Sequence, residues 1–135
     1  MNLKYLANQI QEELIKQCRS YELMGEIDQD GGAWFFDIND DVCGFISCES
    51  NAQDINIPTV SVALRISEIS GFSAGDIEAL LVKNGDFFAG SLVLTCFDNV
   101  KLLCLQTRIH AEAYNPDDFH QYLNNLLHEA SILLP

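Results

Sequence analysis

Basic residues are scarce in this chain of 135 residues. Seven Lys and Arg stand against 20 Asp and Glu, so the formal net charge is −13. A charge of this sign repels phosphate backbones and anionic lipid, which argues against nucleic acid and membrane surfaces as partners. The simplest interpretation of the acidity is solubility, but the same charge would attract a basic or unfolded polypeptide.

Long apolar runs and paired cysteines are also missing. No segment approaches the ~20 apolar residues that cross a bilayer, and the first residues lack the apolar run of a signal peptide. The cysteines are odd in number, show no C-x-x-C spacing and sit within apolar patterns. We therefore predict reduced core thiols in a soluble, cytoplasmic protein. The five are Cys18, Cys43, Cys48, Cys96 and Cys104.

Signatures of catalysis and of cofactor or metal binding are lacking as well. The sequence contains no G-x-S-x-G, G-x-x-x-x-G-K-S/T or G-x-G-x-x-G motif. The acidic runs that begin at Asp28 and Asp37 resemble the start of a calcium loop, but neither has the glycine and the final acid that such a loop requires. Zinc needs ligands at paired spacing, which the cysteines do not offer. We therefore expect no catalytic residue, no metal and no cofactor.

A thiol nucleophile is the one chemical alternative. Cys104 shares a strand face with His110 but lies about 20 Å from it at the rise of a strand, so the two cannot touch. An approach of Cys96 to His110 across a hairpin stays open. A low thiol pKa on Cys96 or Cys104 would favour an enzyme of this kind.

The clearest structural pattern runs from Ser91 to Tyr114. Asp98-Asn99 interrupts it, and both residue types accept the left-handed backbone of a tight hairpin turn. Beyond the turn, apolar and polar residues alternate with a period of two, which predicts a strand with one dry face and one face that grows wetter toward its end. The dry face carries Leu103, Leu105, Thr107, Ile109, Ala111 and Ala113.

Three helices are predicted around this hairpin. Asn2 caps a first helix of about 17 residues, whose apolar side chains recur every three and four positions. Ser73 begins a short second helix with a capping box, and Asn84-Gly85 ends it with a left-handed cap. Asn115, followed by Pro116, caps a third helix that runs to Leu134.

Three strand-like runs lie between the first two helices, over residues 33–38, 42–49 and 57–67. Turns are expected over residues 28–32, 39–41 and 50–54. The predicted order is helix, three strands, short helix, two strands, helix. Sequential hairpins imply an antiparallel sheet with helices packed on one face, and the length suits a single α+β domain over residues 1–135.

The first of these strands carries three consecutive aromatic residues. Because successive side chains on a strand point to opposite faces, Phe35 must project away from Trp34 and Phe36. One helix layer hides only one face of a sheet, so aromatic surface is left over for a partner, a second subunit or a covering helix. Edge strands would add backbone groups to which an extended peptide can pair.

The order of elements resembles that of the class I type III secretion chaperones and of the related YbjN-like domain. The acidic composition and the run from Ile77 to Leu94 (IEALLVKNGDFFAGSLVL) are similar to the family, which has a Leu-Leu helix, an Asn-containing stop, an aromatic residue, a Gly and a strand. A short second helix and a cysteine-rich sheet depart from it.

The resemblance implies a homodimer that holds an extended segment of a partner protein and hydrolyses nothing. In the family, the second helix and neighbouring strands make the dimer contact, while the first helix and the sheet receive the partner. Carried over, the dimer contacts are Ile77, Leu80, Leu81, Leu92 and Leu94. The partner-binding residues are Leu3, Tyr5, Trp34 and Phe36. Plain core packing explains Leu80, Leu81 and Phe36, taken singly, better than a contact does, whereas Trp34 and Tyr5 are the better candidates for a contact.

Three functions follow from these observations. The leading hypothesis is a chaperone that holds a secreted effector or another partner protein. The alternative is a YbjN-like regulatory or sensory binding domain without export cargo, and the third is the thiol enzyme described above.

Overall fold

A computed structural model describes residues 2–50 and 57–134 of the chain. Three helices and six strands follow one another in the order α1 (Lys4–Gln17), β1 (Ser20–Asp28), β2 (Gly31–Asp37), β3 (Cys43–Glu49), β4 (Thr59–Glu68), α2 (Ala74–Val82), β5 (Ser91–Phe97), β6 (Val100–His110) and α3 (Phe119–Leu133). Short 3₁₀ turns span Lys83–Asp86, Ala111–Ala113 and Pro116–Asp118. The connection expected over residues 50–54 falls, apart from Ser50, outside the described residues.

All six strands form one sheet in the order β1-β2-β3-β4-β6-β5. Every neighbouring pair is antiparallel, which confirms the predicted α+β class with an antiparallel sheet. The predicted order is wrong in one respect, because it omits β1 and so has five strands instead of six. The period-two pattern of β1 is broken at Gly25, which has a φ of +76° and lies where the pairing with β2 shifts register.

The turn between β1 and β2 is tighter than the predicted 28–32. Asp28 pairs with Gly31, so only Gln29 and Asp30 form the turn. Gly31 has a φ of +116°, and a Cβ built there would lie 1.8 Å from the backbone oxygen of Cys48. Glycine is therefore required at this position by both backbone conformation and the close approach of β3.

The β5–β6 hairpin forms as predicted, except that β6 ends at His110 and the predicted strand positions Ala111–Ala113 form a 3₁₀ turn. Asp98 and Asn99 have φ values of 48° and 65°, so both turn residues occupy the left-handed region of a type I′ turn. On β6, Leu102 and Cys104 are buried, whereas His110 at the end of the same face is exposed. This gradient matches the predicted face that grows wetter along the strand.

The predicted helix starts are confirmed, and one predicted stop is wrong. Asn2 Oδ1 accepts the backbone N–H of Lys4, and Ser73 forms a capping box at the start of α2. Asn115 Oδ1 accepts an N–H in the first turn of the last helical segment, whose α-helical part begins after a 3₁₀ turn. After α2, however, the chain enters a 3₁₀ turn, and Gly85 is not among the residues with positive φ.

The helices cover one face of the sheet. Their apolar stripes pack on the inward side chains of the strands, and the largest fully buried members of this core include Trp34, Phe36, Phe119 and Leu126. The core residues contributed by α1 are Leu6, Ala7, Ile10 and Leu14. In the part of the chain that the structure describes, no helix is long and apolar enough to span a bilayer.

Candidate functional site

The uncovered face of the sheet carries a second, smaller apolar cluster. Its buried members are Ala63, Leu102 and Cys104, and Phe45, Val93 and Phe97 pack against them. All six lie on strands, so within the described residues no helix contributes to this cluster. We call this side of the molecule the open face.

Three phenylalanine rings from distant strands meet on the open face. Phe97 lies 5.0 Å from Phe35 and 5.2 Å from Phe45 between ring centroids, in edge-to-face geometry. Phe97 is on β5 and Phe35 on β2, four strands apart, which is ~19 Å in a flat sheet. The sheet must therefore curl strongly about the open face to bring the rings together.

An irregularity in β4 accompanies this curl. The pairing of β4 with β6 shifts register between Arg65 and Ser67. A bulge of this kind bends a strand and increases its local twist. The bend lies near the β5–β6 hairpin tip, since Lys101 of that hairpin accepts the N–H of Ile69 just beyond β4. The open face is thus a concave surface.

A cavity of about 390 Å³ lies on this face beside the edge strand β1. Its walls combine aromatic and aliphatic side chains with a few charged groups, the composition typical of ligand and side-chain pockets. The residues that line it are Ser20, Tyr21, Glu22, Phe35, Phe36, Asp37, Cys43, Gly44, Phe45, Arg65 and Leu102.

Two of the three charged residues that line the cavity, Asp37 and Arg65, are paired with residues outside its lining. Arg19 bridges Asp37 at 2.9 Å and Asp40 at 2.6 Å, and these bonds raise the pKa of its guanidinium. Arg65 contacts Glu68 at 3.1 Å. Glu22 is exposed at the rim. The cavity therefore offers an apolar interior with carboxylates and a guanidinium at its edge.

The predicted partner-binding residues are divided between core and surface. Leu3, Trp34 and Phe36 are buried in the main core, where Trp34 Nε1 donates to Gln11 Oε1 at 3.0 Å. Their burial accords with core packing and does not favour direct contact with a partner. Tyr5 is 74% exposed on α1.

The sequence patterns predict only part of the aromatic lining of the open face. Phe35 projects opposite to Trp34 and Phe36, as predicted, and is only half-buried. Phe45 and Phe97 were not singled out, although the alternation of β3 gives a signal for Phe45. No local pattern predicts the approach of Phe97, which depends on the curl of the sheet.

Three of the predicted dimer contacts lie on α2, which is loosely packed, and the other two lie on β5. No residue of α2 is buried, although its sequence is rich in apolar residues. Ile77 and Leu80 are half-buried against the core, and Leu81 is exposed. On β5, Leu92 is buried whereas Leu94 is exposed.

Three of the five thiols have a raised pKa, which is the direction opposite to activation. Burial raises the pKa of Cys48 to about 12 and that of Cys18 to about 11. Burial also raises the pKa of Cys104, despite a contact with Thr95. Cys96 pairs with Lys101 and His110 pairs with Thr59, so the two lie at opposite ends of β6 and do not approach each other.

Possible metal ligands are not grouped in residues 2–50 and 57–134. No group of three or more His, Cys, Asp or Glu residues there is placed to hold an ion. The two acidic runs form turns instead: Asp28 Oδ1 accepts the N–H of Asp30, and Asn39 Oδ1 accepts the N–H groups of Asp41 and Val42.

No protein-family model matches the chain, and no curated protein matches it either. Function must therefore be inferred from the geometry of the surfaces just described.

Proposed function

We propose that this protein is a non-enzymatic binding module that holds an extended segment of a partner protein, in the manner of the secretion chaperones that it resembles. The observation that carries the proposal is the aromatic cavity on the open face. A cavity of about 390 Å³ with Phe35 and Phe45 in its walls suits one large apolar side chain of a partner.

The chemistry of the rim defines the kind of segment that fits. A net charge of −13 attracts basic polypeptides over long range, and the exposed Glu22 lies at the cavity itself, whereas Asp37 there is already paired with Arg19. The bound segment is accordingly an aromatic or aliphatic residue flanked by Lys or Arg. The adjacent edge strand β1 supplies backbone groups with which such a segment can pair.

Self-association completes the proposal. An apolar helix without a buried residue favours a further covering layer, and α2 is such a helix. The homodimer uses α2 and the adjoining part of β5, and it acts in the cytoplasm, where unpaired thiols stay reduced.

The test is capture of partners from the protein's own cytosol, followed by affinity measurement with peptides from the captured proteins. Phe45→Ser should abolish binding, while Phe45→Leu should retain much of it because the cavity wall stays apolar. Ile15→Ser, at an exposed position of α1 on the helix-covered side, is the matched control. Equal binding by wild type and Phe45→Ser, with both folded by circular dichroism, would refute the proposed site. Export of the captured protein would separate a secretion chaperone from a regulatory domain.

A further inference from the structure

Opposite charges lie on the two sides of the aromatic cavity. Glu22 is on the edge strand β1 and Arg65 is on β4, and both line the cavity. The sheet order β1-β2-β3-β4 separates their strands by three spacings, which is ~14 Å in a flat sheet and less in a curled one. Phe35 on β2 and Phe45 on β3 lie between them. A bound segment therefore meets an anion on one side of the cavity and a cation on the other.

The strand register places these side chains on the same face of the sheet. Glu22 pairs with Phe35, and Phe35 pairs with Phe45, so the three project to one side. Arg65 pairs with Cys104, which is a buried member of the apolar cluster on the open face. The carboxylate and the guanidinium consequently flank the cavity on the open face and do not point into the main core.

The two carboxylates that line the cavity differ in how they are paired. Asp37 shares Arg19 with the nearby Asp40, at 2.9 Å and 2.6 Å. Glu22 is exposed, and no ion pair joins it to another residue in the part of the chain that the structure describes. A basic side chain of a partner can therefore pair with Glu22 without breaking an ion pair within this chain.

Arg65 is paired through a single nitrogen. Its Nη2 lies 3.1 Å from a carboxylate oxygen of Glu68, and the two side chains are 42% and 52% exposed. Exposed ion pairs of this kind contribute little to stability. A guanidinium carries five N–H donors, so Arg65 can receive a second carboxylate while it keeps the first. An acidic side chain of a partner is thus accommodated at this side of the cavity.

Other charged residues around the cavity do not reverse this arrangement. Glu26 on β1 and Asp41 in the turn between β2 and β3 are acidic and add to the negative side. Asp98 and Lys101 belong to the β5–β6 hairpin, which reaches the cavity wall through Phe97, and their charges cancel. The cavity is therefore acidic toward β1 and carries a guanidinium toward β4.

The separation of the two charges matches the repeat of an extended peptide. Side chains i, i+2 and i+4 of an extended chain project to one side, and the first and last lie ~13–14 Å apart. This is close to the ~14 Å between the strands of Glu22 and Arg65. The middle side chain of such a segment then lies over Phe35 and Phe45.

We propose that the open face selects segments of the pattern basic-x-apolar-x-acidic, read in either chain direction, with Glu22 and Arg65 as the specificity-determining residues. This inference rests on the proposed function and deepens it, because it assigns one flank of the apolar residue to a base and the other to an acid. Net charge alone favours a base on both flanks, so the two accounts rank partner segments differently.

The experiment is an NMR-detected titration of the purified protein with three synthetic peptides. They share the sequence Gly-Ser-X-Ser-Phe-Ser-Z-Ser-Gly, and X and Z are Lys and Glu, Lys and Lys, or Glu and Glu. Salt of about 0.15 M screens the attraction of the net charge more than it screens direct ion pairs. The Lys/Glu peptide should bind at least about threefold more tightly than the Lys/Lys peptide, which is the size of one exposed ion pair.

Two substitutions with the same change of net charge separate local pairing from long-range attraction. Glu22→Lys should weaken the Lys/Glu peptide at least about fivefold and should strengthen the Glu/Glu peptide, because a repulsion replaces an attraction at one position only. Glu12→Lys, at an exposed position of α1 on the helix-covered side, is the control and should change neither affinity by more than about twofold. Arg65→Glu should make the Lys/Lys peptide the tightest of the three.

The outcomes distinguish this inference from the function on which it rests. Binding that Phe45→Ser abolishes, but that responds equally to Glu22→Lys and Glu12→Lys, would keep the binding site and refute the charge pattern. Equal affinity of the wild type for the Lys/Glu and Lys/Lys peptides would also refute the pattern. If no peptide shifts the signals of open-face residues at millimolar concentration, the pattern is wrong; the proposed function falls with it only if partner capture is also insensitive to Phe45→Ser.

Discussion

Glycine-to-alanine substitutions test the pairing of β1, β2 and β3 most directly. Gly31 combines a φ of +116° with a position at which an added Cβ would overlap the backbone oxygen of Cys48. Gly25 has a φ of +76° but nothing within 4 Å of its Cβ position. Gly85 has open space and ordinary backbone angles. Alanine at Gly31 therefore tests steric exclusion together with backbone strain, and alanine at Gly25 tests backbone strain alone. Alanine at Gly85 meets neither effect.

The expected costs follow from these differences. Gly85→Ala should be neutral or stabilise by up to about 1 kcal/mol, because alanine reduces the entropy of the unfolded chain. Gly25→Ala should destabilise by about 1–2 kcal/mol through left-handed strain alone. Gly31→Ala must also push β2 away from β3, since the clashing atom is backbone and cannot rotate aside. We expect a cost of at least ~4 kcal/mol, a large part of the 5–15 kcal/mol that stabilises a typical domain.

Urea unfolding followed by circular dichroism and tryptophan fluorescence measures all three variants. Trp34 reports on the same strand as Gly31 and is fully buried, so its fluorescence detects separation of the sheet from α1. Equal m-values would show that the variants unfold from similarly compact native states. If Gly31→Ala costs no more than Gly25→Ala, the close approach between β2 and β3 described here is wrong.

Three further results are expected. Phe97→Ala should destabilise the protein by about 1–3 kcal/mol in urea, less than a fully buried Phe→Ala change because the ring is half-buried, while Phe72→Ala, outside both apolar clusters, should be near neutral. Burial raises the pKa of Cys48 from 9.0 to about 12. The contribution of the neutral thiol to the free energy of unfolding is therefore fully present below pH 9 and should be lost as the pH rises toward 12. Cys48→Ala should reduce this alkaline loss of stability, as measured by unfolding at a series of pH values. Asn84→Ala removes two bonds between the Asn84 amide and the backbone of Leu92 and should cost about 1–3 kcal/mol, with faster hydrogen exchange of the Leu92 amide; unchanged exchange would contradict this role.

Local signals predicted most elements because each depends on residues close in sequence. The left-handed turn at Asp98-Asn99, the cap at Asn2 and the capping box at Ser73 are all set by residue types that the backbone requires there. Local signals gave a wrong prediction at Asn84, because its hydrogen-bond partner is distant in the fold. Its side chain pairs with the backbone of Leu92 on another element, which no helix-stop rule contains.

The candidate site was predicted only in part for the same reason. Alternation along β2 correctly separates Phe35 from Trp34 and Phe36, but it does not state which face the helices cover. Trp34 and Phe36 prove to face the core, and the open face instead gathers Phe35 with Phe97 from a strand at the far edge. The exposure of Phe88 is likewise invisible in the sequence, where it follows the half-buried Phe87.

The sequence by itself determined the α+β class, the antiparallel hairpins, the helix caps and the two-faced character of the aromatic strand. These properties follow from backbone periodicity and turn chemistry over a few residues. Only the tertiary structure decided that β1 joins the sheet, that the sheet curls until Phe97 reaches Phe35, and that Glu129 accepts the backbone N–H of Phe88 while the Phe88 ring stays in solvent. Each of these depends on contacts between residues far apart in the chain, whose energies are settled by packing all the elements together.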